Sequence, residues 1–280
     1  MWPPSSRPTT RRRALPRSSA ANSHVQDACT VELAPIGRAV TPYLTKFGVP
    51  RQPELARSCP CALVFEHPDA AEFLADVREG STLLVVWGFS KNARSGAFRS
   101  TVRPPRLGGS QRVGVFASRS SFRPNGLALS RVTACGHVQA RDDGTCAVRI
   151  AGADMVDGSP VYDIAPYVPV LDCHEQAASG WVGRESWHAL ALAPIDSRML
   201  ALVDEAYRDG LLELLALDPR PAYARSSGST RSYWVAYGDV VVDFRVEAGV
   251  LSVTSIQPLD EAMRAELAAT GTLSGRFEQR

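Results

Sequence analysis

"TLLVVWGF", residues 82–89, is an unbroken apolar run of strand length between Ser81 and Ser90, and its valines and tryptophan suit a pleated surface, so it predicts a buried strand. Working outward from it, "RVGVFAS" (112–118) and "LALSRVTACGHV" (127–138) predict two more strands, joined by a loop that ends in the turn dipeptide Asn125-Gly126. "GTCAVRIAGA" (144–153) predicts another. "DMVDGSPVYDIAPYVPV" (154–170) predicts a turn, a short strand and a proline-interrupted edge. On the other side, "HPDAAEFLADVREG" (67–80) predicts a helix, with Asp69 to cap it, Phe73, Leu74 and Val77 on one face and Gly80 to stop it. The prolines and glycine of "LTKFGVPRQPELA" (44–56) exclude a helix, and "CTVELAPIGRAVTPY" (29–43) fits a strand running into a turn. Many short strands with one good helix, from residue 29 to about 180, argue for a barrel or a strongly curved sheet.

Beyond residue 194 the pattern changes. "PIDSRMLALVDEAYRDGLLELLAL" (194–217) offers Asp196 or Ser197 as a cap, Leu200, Val203 and Tyr207 in helical register, and Gly210 as a break before a second apolar helix. "VVVDFRVEAGVLSVTSI" (240–256) predicts a hairpin turning at Glu247-Ala248-Gly249. The chain therefore divides into a disordered basic tail (1–28), a mostly β domain (29–185), a small α+β domain (194–262) and a C-terminal tail (263–280).

Length and composition set the outer bounds. The chain has 280 residues, 45% of them hydrophobic, enough to bury a sizeable core. No stretch approaches the roughly 20 apolar residues needed to cross a bilayer, which predicts a soluble protein. The formal net charge is only +2, but arginine supplies almost all of the positive charge, because Lys46 and Lys91 are the only lysines. The first 27 residues, with Arg7, Arg11, Arg12, Arg13 and Arg17 and no acid before Asp27, also have the style of an organelle transit peptide, and a start codon set too far upstream would produce the same pattern. The six cysteines form no C-x-x-C pair, so reduced thiols in a cytosol are expected and no metal site is.

No G-x-S-x-G, H-E-x-x-H, Walker loop or G-x-G-x-x-G after a strand is present, which removes the commonest hydrolase, zincin, NTPase and Rossmann readings. What remains is arginine held on stiff backbone. In "VRPPRLGG" (102–109) the prolines present Arg103 and Arg106 from an extended segment, and a guanidinium fork suits phosphate or carboxylate. "FASRSSFRPNG" (116–126) places Arg119 and Arg123 among hydroxyls in one irregular loop, and "FGVPRQP" (47–53) sets Arg51 and Gln52 between prolines. "LALDPRPAYAR" (215–225) ends a helix with Asp218 and Arg220 beside prolines and adds Tyr223; an acid, an arginine and an aromatic there can accept a proton, hold a phosphate and stack a base. Each of these segments also has a plainer reading as a solvated turn or a local ion pair.

Four segments in order, "PIGRAVTPYLTKFGVPRQPEL", "TVRPPRLGGSQRVGVFASRSSFRPNG", "DMVDGSPVYDIAPYVP" and "LALDPRPAYAR", make the chain resemble the TrmO (TsaA, YaeB-like) family of tRNA methyltransferases over about residues 33–225. The resemblance implies S-adenosylmethionine as methyl donor, N6 of threonylcarbamoyl-adenosine beside the tRNA anticodon as acceptor, a cytoplasmic homodimer, and a non-Rossmann β-barrel cofactor domain followed by a small α+β domain. Carried over by position, it implies cofactor contacts from Pro50, Arg51, Gln52, Arg119, Leu129, Ala153, Asp154, Met155 and Val156. Where the family pattern has Phe-His, this chain has Phe89-Ser90-Lys91, so Ser90 and Lys91 stand in the cofactor-binding position. Residues 123–128, Arg-Pro-Asn-Gly-Leu-Ala, lack the proline that the family tends to place after the asparagine.

Within that resemblance, Asp218 is the candidate catalytic carboxylate, and Arg103, Arg106, Arg123, Arg220 and Tyr223 are candidate substrate contacts. Two rival readings stay open: an RNA-binding homologue that kept the scaffold and lost activity, and a methyltransferase acting on another acceptor.

Overall fold

The computed structural model describes residues 31–91, 100–104, 111–178, 180–181, 189–221 and 231–274. The expected tail (1–28) and the candidates Arg106 and Tyr223 lie outside those residues. The chain divides at Ala34, and Pro35–Arg280 forms one compact unit. Before it, residues 31–34 are exposed coil; all that follows concerns this unit.

Its first half is a barrel. The strands β1 (Gly37–Val40), β2 (Pro60–Phe65), β3 (Thr82–Gly88), β4 (Thr101–Val102), β5 (Val113–Gly114), β6 (Leu127–Ala134), β7 (Gln139–Ala140), β8 (Cys146–Ala151) and β9 (Pro160–Pro166) follow one another in the chain. Six of them run in the spatial order β2-β1-β9-β3-β6-β8, and β8 pairs back onto β2, so the ring closes. Every pairing in the ring is antiparallel. Closure removes the exposed edges that an open sheet of such apolar strands would present. β7 adds to β8 outside the ring, and β4 pairs with β5 as a separate ribbon.

Side-chain alternation explains why "TLLVVWGF" belongs here. Leu83, Val85 and Trp87 face the interior and are buried, as are Ser130, Val132 and Ala134 of the neighbouring β6, while Leu129 and Arg131 point outward.

Three local expectations give way. The predicted helix over 67–80 is a single turn, α1 (Ala70–Phe73), in which Asp69 makes no side-chain cap bond and Phe73 is exposed. Leu74 and Ala70 are its buried anchors, Asp76 turns the chain at φ 66, and so short a helix depends on tertiary packing. "RVGVFAS" pairs only through Val113–Gly114 before a 3-10 turn, Val115–Ala117, whose end is held by the Ser118 hydroxyl donating to Val115 O at 2.9 Å. β9 is no edge: it lies between β1 and β3, and its prolines sit at its two ends, where a missing N–H disturbs the ladder least.

A one-turn helix, α2 (Pro169–Asp172), follows β9, and the second half comprises β10 (Ala191–Leu192), α3 (Ser197–Leu200), α4 (Glu205–Ala216), β11 (Tyr233–Tyr237), β12 (Val240–Glu247) and β13 (Val250–Pro258), with the sheet order β10-β13-β12-β11. Asp196 caps α3 and Asp204 caps α4, each carboxylate accepting from a backbone N–H two residues on. The break falls at residues 201–204 rather than at Gly210, which lies inside α4. The β12–β13 hairpin turns at Ala248 and Gly249, both with positive φ. Where the sequence predicts a tail from 263, a further helix forms: α5 (Glu261–Thr270), capped by Asp260 and anchored by buried Leu267.

One hydrophobic cluster runs from the barrel (Leu63, Val148, Ile150) into the second half (Leu211, Leu214, Tyr233, Phe244). The seam is also bonded: Tyr43 bridges to Tyr237, Cys59 Sγ lies 3.1 Å from the Tyr237 hydroxyl, and Ser58 donates to Glu213 through both its N–H and its hydroxyl.

Candidate functional site

Three loops meet at one end of the barrel, and prolines, a glycine and a few bonds hold them there. The first is the 50–56 segment, where Pro50 and Pro53 are buried and residues Pro53–Leu55 form a 3-10 turn. The second carries Ala153–Val156 after β8. Gly152 joins the two: at φ 71 it packs so closely that a β-carbon would fall 2.5 Å from the carbonyl oxygens of both Pro53 and Ala56. Only glycine accepts that backbone and that contact. Thr41, at the end of β1, secures the 153–157 segment by donating its hydroxyl to Met155 O at 3.0 Å and its N–H to the Asp157 carboxylate at 3.0 Å. The third loop, 115–126, is tied down by Trp181, whose Nε1–H donates to Ala117 O at 2.8 Å.

These restraints assemble a polar chain. Arg119 donates to the side-chain oxygen of Gln52 and lies close enough to Asp154 to favour its charged form. Asp154 in turn accepts from the Ser130 hydroxyl at 2.6 Å, and Ser130 accepts from Trp87 Nε1 at 2.8 Å. Enclosure pushes the Asp154 carboxyl up to about 6, with the Ser130 bond and Arg119 opposing the rise. Of the four cofactor candidates on this segment, Ala153 and Met155 bury their side chains completely, so Asp154 and half-buried Val156 are the two whose side chains retain access.

The third loop also borders a groove of about 240 Å3 lined by Gly88, Phe89, Ser90, Asn125, Gly126, Leu127, Pro160 and Tyr162. The 115–126 loop serves both features, giving Arg119 to the cluster and Asn125 and Gly126 to the groove. Its end is fixed by Phe89 N–H donating to Gly126 O at 3.0 Å. Ser90 and Lys91 are exposed, and Leu129 is exposed on the outer face of β6. Arg123 turns back on its own loop, donating to Ser118 O at 3.0 Å with its guanidinium over the Phe116 ring. Arg103 is exposed beside buried Pro104, as a proline-braced presentation requires.

The Asp218–Arg220 pair is built on different elements. Asp218 follows α4 in the left-handed region at φ 57, and its two carboxylate oxygens accept from Arg220 Nε at 2.8 Å and Nη2 at 2.9 Å. Both residues are buried, and the carboxylate pushes the Arg220 guanidinium up in pKa. The fork fixes the plane of the carboxylate.

Sequence reasoning did not find Trp87, Ser130, Glu54 or Arg131. Glu54 accepts from Arg131 Nη2 at 2.9 Å, and the same guanidinium lies over Tyr167, which braces the 50–56 segment against β6 from outside. A signal for Ser130 did exist: it is a hydroxyl at an inward position between Ala128 and Val132.

A donor such as S-adenosylmethionine is zwitterionic at one end and aromatic at the other. The residues fit it: Arg119 and Asp154 supply opposite charges, and Phe89, Leu127 and Tyr162 supply apolar and aromatic walls. Among the described residues no group of acids, histidines and cysteines could hold a metal, and no helix is long and apolar enough to cross a membrane.

Comparison with known proteins adds the family. Residues 38–173 match the family model of the tRNA-methyltransferase O N-terminal domain, and residues 198–259 match that of the TrmO C-terminal domain. The tRNA (adenine(37)-N6)-methyltransferase of Escherichia coli (strain K12) is 35% identical over 230 residues, covering 80% of this chain and 96% of that protein. A putative S-adenosylmethionine-dependent methyltransferase, RcsF, of Pseudomonas aeruginosa is 33% identical over 228 residues, covering 76% and 91%. The crystal structure of TrmO from P. aeruginosa superposes with a TM-score of 0.65 at 26% identity, covering 83% of this chain and 99% of that one.

Proposed function

The chain belongs to the tRNA-methyltransferase O family, and from that premise we propose that it transfers the methyl group of S-adenosylmethionine to N6 of adenosine 37 in tRNA. In this reading the acceptor is the threonylcarbamoyl form of that base, and the enzyme works in the cytoplasm as a homodimer. The observation that carries it is the Gln52–Arg119–Asp154 cluster at the barrel end: charge of both signs, held by hydrogen bonds, with a groove bordered by the loop that carries Arg119.

S-adenosylmethionine, when bound, supplies a methyl carbon on a sulfonium, a good leaving group. The residues of the chain then have mainly to align and to manage protons. Alignment of an in-line displacement supplies roughly 7 to 11 kcal/mol of barrier reduction when the geometry is held. Pro50, Pro53 and Gly152 provide the stiffness for this, with Gln52, Arg119 and Asp154 as the groups that hold the donor. Ser90 lines the groove, and exposed Lys91 follows it in the chain.

The acceptor nitrogen is a poor nucleophile because its lone pair is delocalised into the purine and the carbamoyl carbonyl. We assign the removal of its proton to Asp218, oriented by Arg220 on the proline-flanked elbow. Arg103, Arg106 and Arg123 are assigned to phosphates or to the threonyl carboxylate, and Tyr223 to base stacking.

Mass spectrometry of tRNA nucleosides from cells with and without the gene tests the whole reading. Loss of the N6-methylated nucleoside on deletion is expected. An unchanged nucleoside profile, together with no heat on titrating the protein with S-adenosylmethionine, overturns it in favour of an inactive RNA-binding homologue. Donor binding with an unchanged profile points to a different acceptor.

A further inference from the structure

The Trp87–Ser130–Asp154 relay has a polarity that the barrel interior enforces. An indole N–H is a donor only, so Ser130 must use a lone pair to accept from Trp87 at 2.8 Å. Its single hydroxyl proton is then directed to the Asp154 oxygen 2.6 Å away. Ser130 is 1% exposed, so water does not compete for its hydroxyl. A donor aimed at a carboxylate favours the ionised form, whereas enclosure favours the neutral one.

Resting on the donor-binding reading above, we propose that Ser130, with its hydroxyl aimed by Trp87, is a positioning residue of the donor site: it holds Asp154 as a carboxylate inside an enclosure that would otherwise protonate it, so that donor binding is coupled to a proton. The groups facing Asp154 are Ser130 from β6, Arg119 from the 115–126 loop and the backbone of Asp154 itself. From the 51–56 segment, Gln52 is bonded to Arg119, and Glu54 is turned outward to Arg131. Deprotonated Asp154 balances Arg119 and attracts the positive charges of the donor; protonated, it does neither.

Two measurements on the full chain test this. The first is isothermal titration with S-adenosylmethionine between pH 5 and 9, on the parent and on Ser130→Ala, Ser130→Thr, Trp87→Phe and Asp154→Asn. The parent affinity should weaken towards tenfold per unit as pH falls below the Asp154 midpoint. Ser130→Ala should move that onset upward by about one pH unit, so that binding is about fivefold weaker at pH 6 and about twofold weaker at pH 7, while binding at pH 9 is close to parental. Trp87→Phe should shift it less in the same direction, Ser130→Thr should restore the parent profile, and Asp154→Asn should bind more weakly without the loss of affinity between pH 7 and 5; above pH 7 the donor's own amino group titrates in every variant alike. The second measurement follows the Asp154 carboxyl carbon by 13C NMR in the donor-free protein, where the midpoint should lie near 6 in the parent and higher in Ser130→Ala.

An identical midpoint in parent and Ser130→Ala, or a loss of affinity between pH 7 and 5 that survives Asp154→Asn, overturns the proposal even if methylation is intact. Should Ser130→Ala fail to fold, Trp87→Phe carries the same comparison. If the parent binds no donor at any pH, the methyltransferase reading falls and this one with it.

Discussion

Gly210 lies so close against Tyr237 that a β-carbon at residue 210 would fall 2.5 Å from the tyrosine hydroxyl and 2.7 Å from Cys59 Cα. That approach, rather than a helix break, explains a glycine in the middle of α4. Alanine is the better helix former by about 1 kcal/mol, but here it would meet backbone that cannot step aside. Gly210→Ala is therefore expected to destabilise the protein by about 1–3 kcal/mol, read from urea unfolding; a stabilised variant would show that the seam between barrel and second half yields freely.

Asp154 should weaken the fold where it is ionised. Its carboxyl is raised from an ordinary 3.8 to about 6, so between those values the native state binds more protons than the unfolded chain. Stability contributed by this group is complete below 3.8 and is lost as pH rises through 6. Asp154→Asn is expected to be more stable than the parent by about 1–3 kcal/mol at pH 8 and equal to it near pH 4. Urea midpoints at the two pH values decide it, and a variant less stable than the parent at pH 8 would contradict the sign.

Arg220 and Asp218 form a buried ion pair with two parallel bonds. Removing one partner strands the other charge, which costs about 3–5 kcal/mol for pairs of this kind. Arg220→Ala should lower the thermal midpoint sharply, while Asp218→Asn, which keeps one acceptor, should lower it less. If Asp218→Asn also keeps single-turnover methylation at the parent rate with donor saturating, Asp218 only shapes the elbow and is not the proton acceptor.

Arg103 stands exposed on its proline-braced segment. If it contacts a phosphate, Arg103→Ala should weaken tRNA binding and reduce the log-log salt slope by about 0.7. Filter binding from 50 to 300 mM salt reads both; an unchanged slope and affinity would place the side chain off the RNA path.

The legibility of the sequence varied with the range of the interactions involved. Strands β3, β6 and β8 and the β12–β13 hairpin were readable because alternation, β-branched residues and Ala248-Gly249 are local signals. The helix that 67–80 predicts shrinks to one turn because its apolar positions find too little to pack against: Phe73 faces solvent. Gly210 was misread because its reason lies at Cys59 and Tyr237, distant in sequence. In the site, Gln52 and Arg119 stand out as residue types on stiff loops and Asp154 is implied by the family resemblance, but Ser130 and Trp87 look like any strand residues until the β3–β6 register sets them side by side.

The class of scaffold and the family are legible along the chain, since strand periodicity and four long ordered motifs are written residue by residue. Which charges meet is a matter of packing. Ring closure through β2 and β8, with the fit of Gly152 against the Pro53–Ala56 turn, brings Gln52, Arg119 and Asp154 from three distant segments to one end of the barrel. Distances between loops depend on how strands register across space, and a linear string of side chains carries no term for that.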